Sequence, residues 1–284
     1  MKVPLLSIVI ANYNYGRFLE DAIRSVITQD GFGECELIVV DGGSTDDSVD
    51  VIRRFESRIA WWVSEPDKGQ SDAFNKGFSQ ARGVLGCWLN ADDLLLPNTI
   101  RSVLEVLRSN SRTEWISGGV CYFDSSKGTV TKTRIGSGSV LGFHYWNPGA
   151  LVGGPSSFFS LKRLKEVGGF DLGLRFCMDT DLWWKFTRCG MRNIHLKKYF
   201  WGFRLHEESK TTHAFSGPRD RRFRDELDGL CRRHGYTRRQ KAFGSRLLSA
   251  LRVLSGNLLV SWYDTHRLRD RSMIDFVNEL EGGK

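Results

Sequence analysis

Short uncharged apolar runs recur along the first hundred or so residues, and each is followed by a polar turn and an amphipathic stretch. The runs 5–11, 36–40, 59–64 and 84–89 predict strands, and 18–28, 46–55, 70–81 and 97–108 predict the helices between them. Strand and helix alternating at this spacing imply an α/β fold with a mainly parallel sheet, right-handed crossovers and helices on its faces. Val84 to Leu89 is continuously apolar, as a strand buried on both faces requires.

The pattern changes further along. Residues 114–134 alternate apolar and polar positions and predict a hairpin at the far side of the sheet. The Gly-rich aromatic stretch 136–154 (Phe143, His144, Tyr145, Trp146, Pro148) reads as a loop whose aromatics either stack on a ligand or simply fill core. Around 176–186 an amphipathic helix turns Leu182, Trp183 and Phe186 inward, and Tyr199 to Phe203 forms an aromatic strand. From about residue 218 the chain reads as helical, with apolar blocks at 247–254 and 258–263 among arginines. The expected organisation is one α/β domain over 1–217 and a basic helical extension over 218–284.

Composition narrows the class. With 284 residues, 40% apolar and 26% charged, the chain is globular. Its six cysteines are scattered without a Cys-x-x-Cys pair, which points to a reducing cytoplasm and away from a zinc site. No uncharged run approaches the roughly 20 residues of a membrane span, and the first strand runs straight into Asn12-Tyr13-Asn14, unlike a signal peptide. The net charge of +8 gathers near the C-terminus, as in Arg238-Arg239-Gln240-Lys241, implying an acidic partner: nucleic acid, an anionic membrane or a phosphorylated substrate.

The candidate chemistry lies at strand ends. Leu89-Asn90-Ala91-Asp92-Asp93 places two carboxylates just past the fourth strand, where open α/β sheets bind ligands. Their repulsion calls for a cation, and Mg²⁺ or a similar ion holding a diphosphate suits one or two carboxylates. The plainer reading is a solvated turn before the next helix. Asn12-Tyr13-Asn14 and Asp41-Gly42-Gly43-Ser44-Thr45-Asp46-Asp47 fall on the same edge if the strands are parallel. Asp67 to Gly77 is richer in functional groups than a helix cap requires, with Asp72 and Asn75 on one helical face. Asp179 and Asp181 open the later helix, where one of them would suffice as a cap.

These four segments, in order and spacing, resemble the family 2 glycosyltransferases. The resemblance implies the GT-A fold, with a Rossmann-like nucleotide half and an acceptor half, and inverting transfer from a nucleotide-diphosphate sugar. It implies that Asn12 and Tyr13, with Ala11 and Asn14 beside them, line the nucleotide pocket. Asp41, next to Gly43 and Ser44, would bind the base. Lys68, Gly69, Asp72 and Asn75 would border the sugar diphosphate, together with Asn90 and Ala91. Asp92 would ligate Mg²⁺ or Mn²⁺, with Asp93 assisting and His206 in a loop near the diphosphate. Ser156, Trp183 and Lys210 fall on the acceptor side. Asp179 aligns with the catalytic base, with Asp181 second choice.

Three positions depart from the family pattern. Gly42 stands where a second Asp is commoner, Asn90 where an Asp often starts the Asp-x-Asp motif, and Met178 where a Glu precedes the base. The family's usual setting implies a glycan or lipid-linked acceptor in bacterial surface polysaccharide or glycolipid synthesis, with the enzyme on the cytoplasmic face of the plasma membrane. Two other classes stay open. One is a non-catalytic nucleotide or nucleic-acid binding protein using the basic tail, although no nucleic-acid signature interleaves the arginines. The other is a degenerate transferase fold serving as a scaffold.

Overall fold

The computed structural model describes residues 3–136, 153–209, 221–235 and 257–282. Its first half is the alternation expected from the apolar runs: β1 (Leu6–Asn12), α1 (Gly16–Ile27), β2 (Cys35–Asp41), α2 (Ser48–Arg54), β3 (Trp61–Ser64), α3 (Gln70–Gln80) and β4 (Leu85–Asn90). Then come β5 (Leu94–Leu95), α4 (Thr99–Ser109), β6 (Trp115–Asp124), β7 (Thr129–Arg134), β8 (Ser157–Ser160), α5 (Leu161–Glu166), α6 (Met178–Arg188) and β9 (Ile194–Leu205). The described C-terminal helices are α7 (Arg221–Arg233), α8 (Asn257–Leu268) and α9 (Met273–Gly282).

All nine strands join one sheet of order β3-β2-β1-β4-β8-β6-β9-β5, with β7 beside β6. The run β3-β2-β1-β4 is parallel. Its register sets Asn12 opposite Asp41 and Ala11 opposite Asn90, so the polar turns gather on one carboxyl edge. Beyond β4 the sheet is mixed. β8 is antiparallel to β4 and β6, whereas β6 and β9 are parallel. The expected hairpin forms between β6 and β7, but β6 runs inside the sheet, flanked by β8 and β7 on one side and β9 on the other. The aromatic strand expected at 199–203 extends to Ile194–Leu205, because exposed Lys197 and Lys198 interrupt its apolar signal without ending its ladder.

Alternation along the strands divides the core. Leu6, Ile8 and Ile10 face α1 and α4 through Leu19, Ile23, Val26, Ile100 and Leu104. Val9, Ile38 and Val40 face the other way, onto Phe74 of α3 and Leu182, Trp183 and Phe186 of α6. There Trp183 stacks between two strand tryptophans, with ring centroids 5.5 Å from Trp88 and 5.0 Å from Trp115. At roughly 150–250 Å² per ring, such a group dominates local burial.

The described C-terminal helices pack onto both halves. Leu230 and Cys231 of α7 join the core beneath α6. α8 lies on β7, where the Thr133 N–H donates to Thr265 Oγ1 (3.0 Å) and the Ile135 N–H to Ser261 Oγ (2.9 Å). Leu268 of α8 and Met273 and Phe276 of α9 close a third cluster with Cys121 and Val130. Among the described residues no helix is long and apolar enough to cross a membrane.

Candidate active site

The carboxyl edge of β1, β2 and β4 opens into a cleft of about 680 Å³, closed on the far side by the turn that enters α6. Ala11, Asn12 and Tyr13 line it from β1, Gly42 and Gly43 from β2, and Asn90 to Asp93 from β4. Asp179 lines it from α6, with Arg175, Phe176 and Met178. The topology thus brings the turns after β1, β2 and β4 and the turn into α6 to one cavity.

Asp41 sits beneath the cleft and does not line it. Fully buried, its Oδ1 accepts from Asn12 Nδ2 (2.7 Å) and Ser44 Oγ, and its Oδ2 from the Ser44 N–H (2.9 Å) and Ser64 Oγ (2.6 Å). The carboxylate is therefore a junction between three strand ends. Asn14 makes a second junction: in the left-handed region (φ 56°), it receives the Thr45 N–H on Oδ1 (2.8 Å) and donates its own N–H to Ser44 Oγ (2.8 Å). Short polar side chains tolerate this backbone conformation better than most.

Gly42 has a specific reason to lack a side chain. A Cβ there would lie 2.7 Å from Asp67 Oδ2 and 3.3 Å from the Tyr13 ring. Asp67 is held by the Gly69 N–H on Oδ1 (2.7 Å), so its carboxylate occupies the space a second Asp at position 42 would need. Asp67 was absent from the sequence-derived set, and only its place in the polar 65–77 stretch signalled it.

Three other expected donor residues are placed in the framework. Asp72 accepts the Lys68 N–H (3.0 Å) at the start of α3. Asn75 clasps the acceptor half, donating to the Phe170 carbonyl (2.8 Å) and accepting the Phe170 N–H (2.9 Å). Lys68 is exposed on the loop, and none of these three lines the cleft, whereas Gly69 and Gln70 do. Gln70 donates to Asn90 Oδ1 (2.6 Å), and Asn90 Nδ2 donates to Asp93 Oδ2 (2.8 Å).

The two carboxylates after β4 have different fates. Asp93 is buried, accepts the Arg204 N–H on Oδ1 (3.1 Å), and is pushed well above the usual carboxylate range by burial and then by Asp92. Asp92 instead faces His206, with Oδ2 to Nε2 at 3.0 Å. The His206 ring is gripped by Phe18 and Tyr15 (centroids 4.9 and 5.5 Å), and burial raises the Tyr15 hydroxyl to about 12. Arg204 donates to the Asp92 carbonyl (2.9 Å) and pairs with Asp21 (3.0 Å), fixing the end of β9 against β4.

This donor set fits a hard divalent ion arriving with a diphosphate. Among the described residues no group of three His, Cys, Asp or Glu side chains is placed for a metal, so Asp92 and His206 would need phosphate oxygens to complete the shell. Among the described residues His206 Nδ1 is buried without a hydrogen-bond partner, and Nε2 is the ring atom that meets the cleft carboxylate.

On the acceptor side, Asp179 lines the cleft with Oδ1 accepting the Thr180 N–H (2.6 Å), and burial holds its carboxyl above the usual range. Asp181 is buried behind it, held by Lys185 Nζ (2.7 Å) and His234 Nε2 (2.8 Å). Ser156 and Trp183 are fully buried outside the cleft. Ser209 lines it, while Lys210 and the aromatics Phe143 to Trp146 lie outside the described residues. Sequence reasoning also missed Gln70, Arg175 and Trp201 on the cleft wall, since none stands out from its neighbours by type or spacing.

The model of the family described as Glycosyl transferase family 2 matches residues 7–162. An uncharacterized glycosyltransferase of Nostoc sp. is 37% identical over 108 residues, 37% of this chain and 33% of that protein. One from Rickettsia typhi is 28% identical over 195 residues, 65% of this chain and 59% of its own length. The chain thus spans about a third to three-fifths of these relatives. Among solved structures, S. aureus TarS 1-349 in complex with UDP-GlcNAc has a TM-score of 0.61 at 16% identity, covering 86% of this chain and 70% of that one. Mannosyltransferase PcManGT from Pyrobaculum calidifontis, in complex with GDP-Man and Mn²⁺, has a TM-score of 0.55 at 17% identity, covering 99% and 87%. At these identities the likeness is one of fold.

Proposed function

The chain belongs to glycosyl transferase family 2, and from that premise we propose an inverting, metal-assisted transfer of a sugar from a nucleotide diphosphate to an acceptor hydroxyl. The observation that carries the reading is that Asp92, backed by His206 behind the cleft wall, and Asp179 line the same cleft from opposite sides. The base of the donor would lie over Gly42, between Tyr13 and the free Oδ2 of Asp67, and its diphosphate beside Asp92 and His206. A divalent ion held there would neutralise charge on the departing diphosphate.

Asp179 would take the proton of the acceptor hydroxyl. A sugar hydroxyl is a poor nucleophile until deprotonated, and burial that raises the carboxyl makes it a better proton acceptor near neutral pH. The turn bearing Asp179 also covers the cleft, which limits competing attack by water. A panel of UDP-, GDP- and dTDP-sugars, assayed with Mn²⁺ or Mg²⁺ and with chelator, tests the reading. Metal-dependent release of nucleotide from one donor is the expected result, and no release from any would overturn it.

The acceptor belongs, on this proposal, to a lipid-linked glycan on the cytoplasmic face of an anionic membrane, with the segment from about residue 237 onward docking on the lipid. α8 supports it: Leu259, Trp262 and Tyr263 are 60–65% exposed on the face turned away from β7. Aromatic and apolar groups of that kind, beside a basic segment such as 238–252, suit an interfacial helix.

A further inference from the structure

The turn that carries the proposed base into the cleft is held from outside the family-matched region. α6 begins at Met178, and Cys177 provides no side-chain cap for it. Helix N-termini leave backbone N–H groups without intrahelical acceptors, and a carboxylate is the best available partner. Glu226 of α7 supplies a carboxylate to the turn that leads into this helix and to its N-cap amide. Glu226 Oε2 accepts the Arg175 N–H (3.0 Å), and Oε1 accepts those of Phe176 (2.8 Å) and Cys177 (2.7 Å), across 49 to 51 residues of chain.

α7 grips α6 at further points. His234, just past its C-terminus, meets Asp181 Oδ1 at 2.8 Å and packs edge-on against Trp184 at 4.9 Å. Arg188 of α6 donates to the His234 carbonyl, and Arg233 pairs with Asp171. The His234 and Arg188 contacts anchor the body of α6, and the Arg233 pair anchors the loop before it. Glu226 alone among them binds the amides of the turn, and that turn faces the cleft through Arg175, Phe176 and Asp179.

We propose that Glu226 is a positioning residue for Asp179, fixing where its carboxylate meets the acceptor hydroxyl while leaving the donor side untouched. The proposal rests on the reading of Asp179 as the base. Two consequences follow from the geometry. Three charge-assisted hydrogen bonds hold the 175–177 backbone, so removing them displaces the base and not β1, β2 or β4, which carry the donor residues. The Glu226 charge also stands near Asp179 and adds to burial in raising its carboxyl. Among the described residues, other charged groups around this turn are Arg175 on it, Asp181 paired with Lys185 and His234, Asp171 paired with Arg233, and, across the cleft, Asp67 and Asp92.

The experiment compares the full chain with Glu226→Ala, Glu226→Gln and Asp179→Asn, using the donor that the nucleotide-sugar panel selects. Glu226→Ala should speed hydrogen exchange at the 175–177 amides and lower kcat about 10²-fold, the cost of a misplacement near 1 Å, with donor KM little changed. Glu226→Gln keeps an acceptor oxygen and should recover part of that kcat. It should also move the acidic limb of the kcat–pH profile to lower pH, which a purely structural contact would not do. Faster exchange with unchanged kcat, a donor KM that rises as much as kcat falls, or an acidic limb unmoved in Glu226→Gln would each overturn the proposal. Should Glu226→Ala fail to fold, the Gln variant decides alone. Full turnover by Asp179→Asn would instead overturn the base assignment, whatever Glu226 does.

Discussion

Asp92 Oδ2 and His206 Nε2 stand 3.0 Å apart although 114 positions separate them in the chain. The pair closes because β5, the two residues after Asp93, ladders onto β9 through Leu94 and Gly202, and β9 ends just before His206. Asp92→Asn and His206→Asn are each expected to weaken Mn²⁺ binding in the presence of UDP by at least about 10-fold, the loss seen even for outer-shell partners. Electron paramagnetic resonance of free Mn²⁺ measures it, and undiminished binding by Asp92→Asn would remove the metal from this pair.

The two aspartates of α6 should separate cleanly. Asp179→Asn is expected to lower kcat by about 10²–10⁴-fold with its melting temperature kept, as loss of a general base does. Asp181→Asn leaves Lys185 and the buried His234 without their carboxylate and should cost about 3 kcal/mol of stability. Turnover and thermal melts on both variants test this; a mild Asp179→Asn with a dead but stable Asp181→Asn would exchange the roles.

Gly42→Ala should weaken nucleotide binding by driving a Cβ to within 2.7 Å of Asp67 Oδ2. Asp67→Asn should do so without the clash, by about 10-fold, the worth of one hydrogen bond to a charged group. Calorimetric titration with UDP and GDP reads both. Wild-type affinity for both nucleotides in Asp67→Asn would move the base elsewhere.

His195 makes the fold acid-sensitive. Burial first, then Arg134, lowers it from 6.5 to about 4, while Ser117 Oγ sits 2.8 Å from its Nδ1. A histidine depressed in the folded state contributes stability that is fully present above the unfolded value. That stability is lost as pH falls from about 6.5 toward 4, to a total of about 3 kcal/mol. Raised carboxyls such as Asp93 act in the opposite sense, so the comparison is between wild type and His195→Gln at each pH. The difference in melting temperature should change across that window; a constant offset would exclude the histidine.

The α8 face offers a test that spares the fold. Cutting the chain before residue 257 would strip β7 of its Thr265 and Ser261 contacts and open the cluster around Phe276. Leu259→Ser with Trp262→Ser leaves those contacts in place. Co-sedimentation with anionic vesicles should fall several-fold and should weaken with salt, since each basic group near such a surface adds about 1 kcal/mol. Binding equal to wild type, or indifferent to lipid charge, would leave α8 a structural helix.

Much of the carboxyl edge was legible because parallel strands impose order: once 5–11, 36–40 and 84–89 are strands, their following turns share an edge, and β1 register places Asn12 by Asp41. What hid was whatever depends on contacts across the sheet. A two-residue strand such as β5 has no period to detect, and nothing in the sequence marks Gln70 as the partner of Asn90, 20 positions away. Asp41 and Asn75 were recognised as special, but sequence does not tell a ligand contact from a strut. Glu226 carried no signal at all, since its partners are backbone amides about fifty residues away.

The tryptophan sandwich has one more consequence. Trp88 belongs to the strand that ends at Asn90, just before Asp92, Trp183 to the helix that starts with Met178-Asp179, and Trp115 to β6. The gap between the Asp92 side and the Asp179 side of the cleft is therefore gauged by stacked indoles rather than by tether length. Lengthening or shortening the chain between β8 and α6 would leave this gauge unchanged, whereas thinning one ring, as in Trp183→Leu, would reset it. The fold thus carries an internal ruler, and the loops around it can diverge at little cost to the spacing of Asp92 and Asp179.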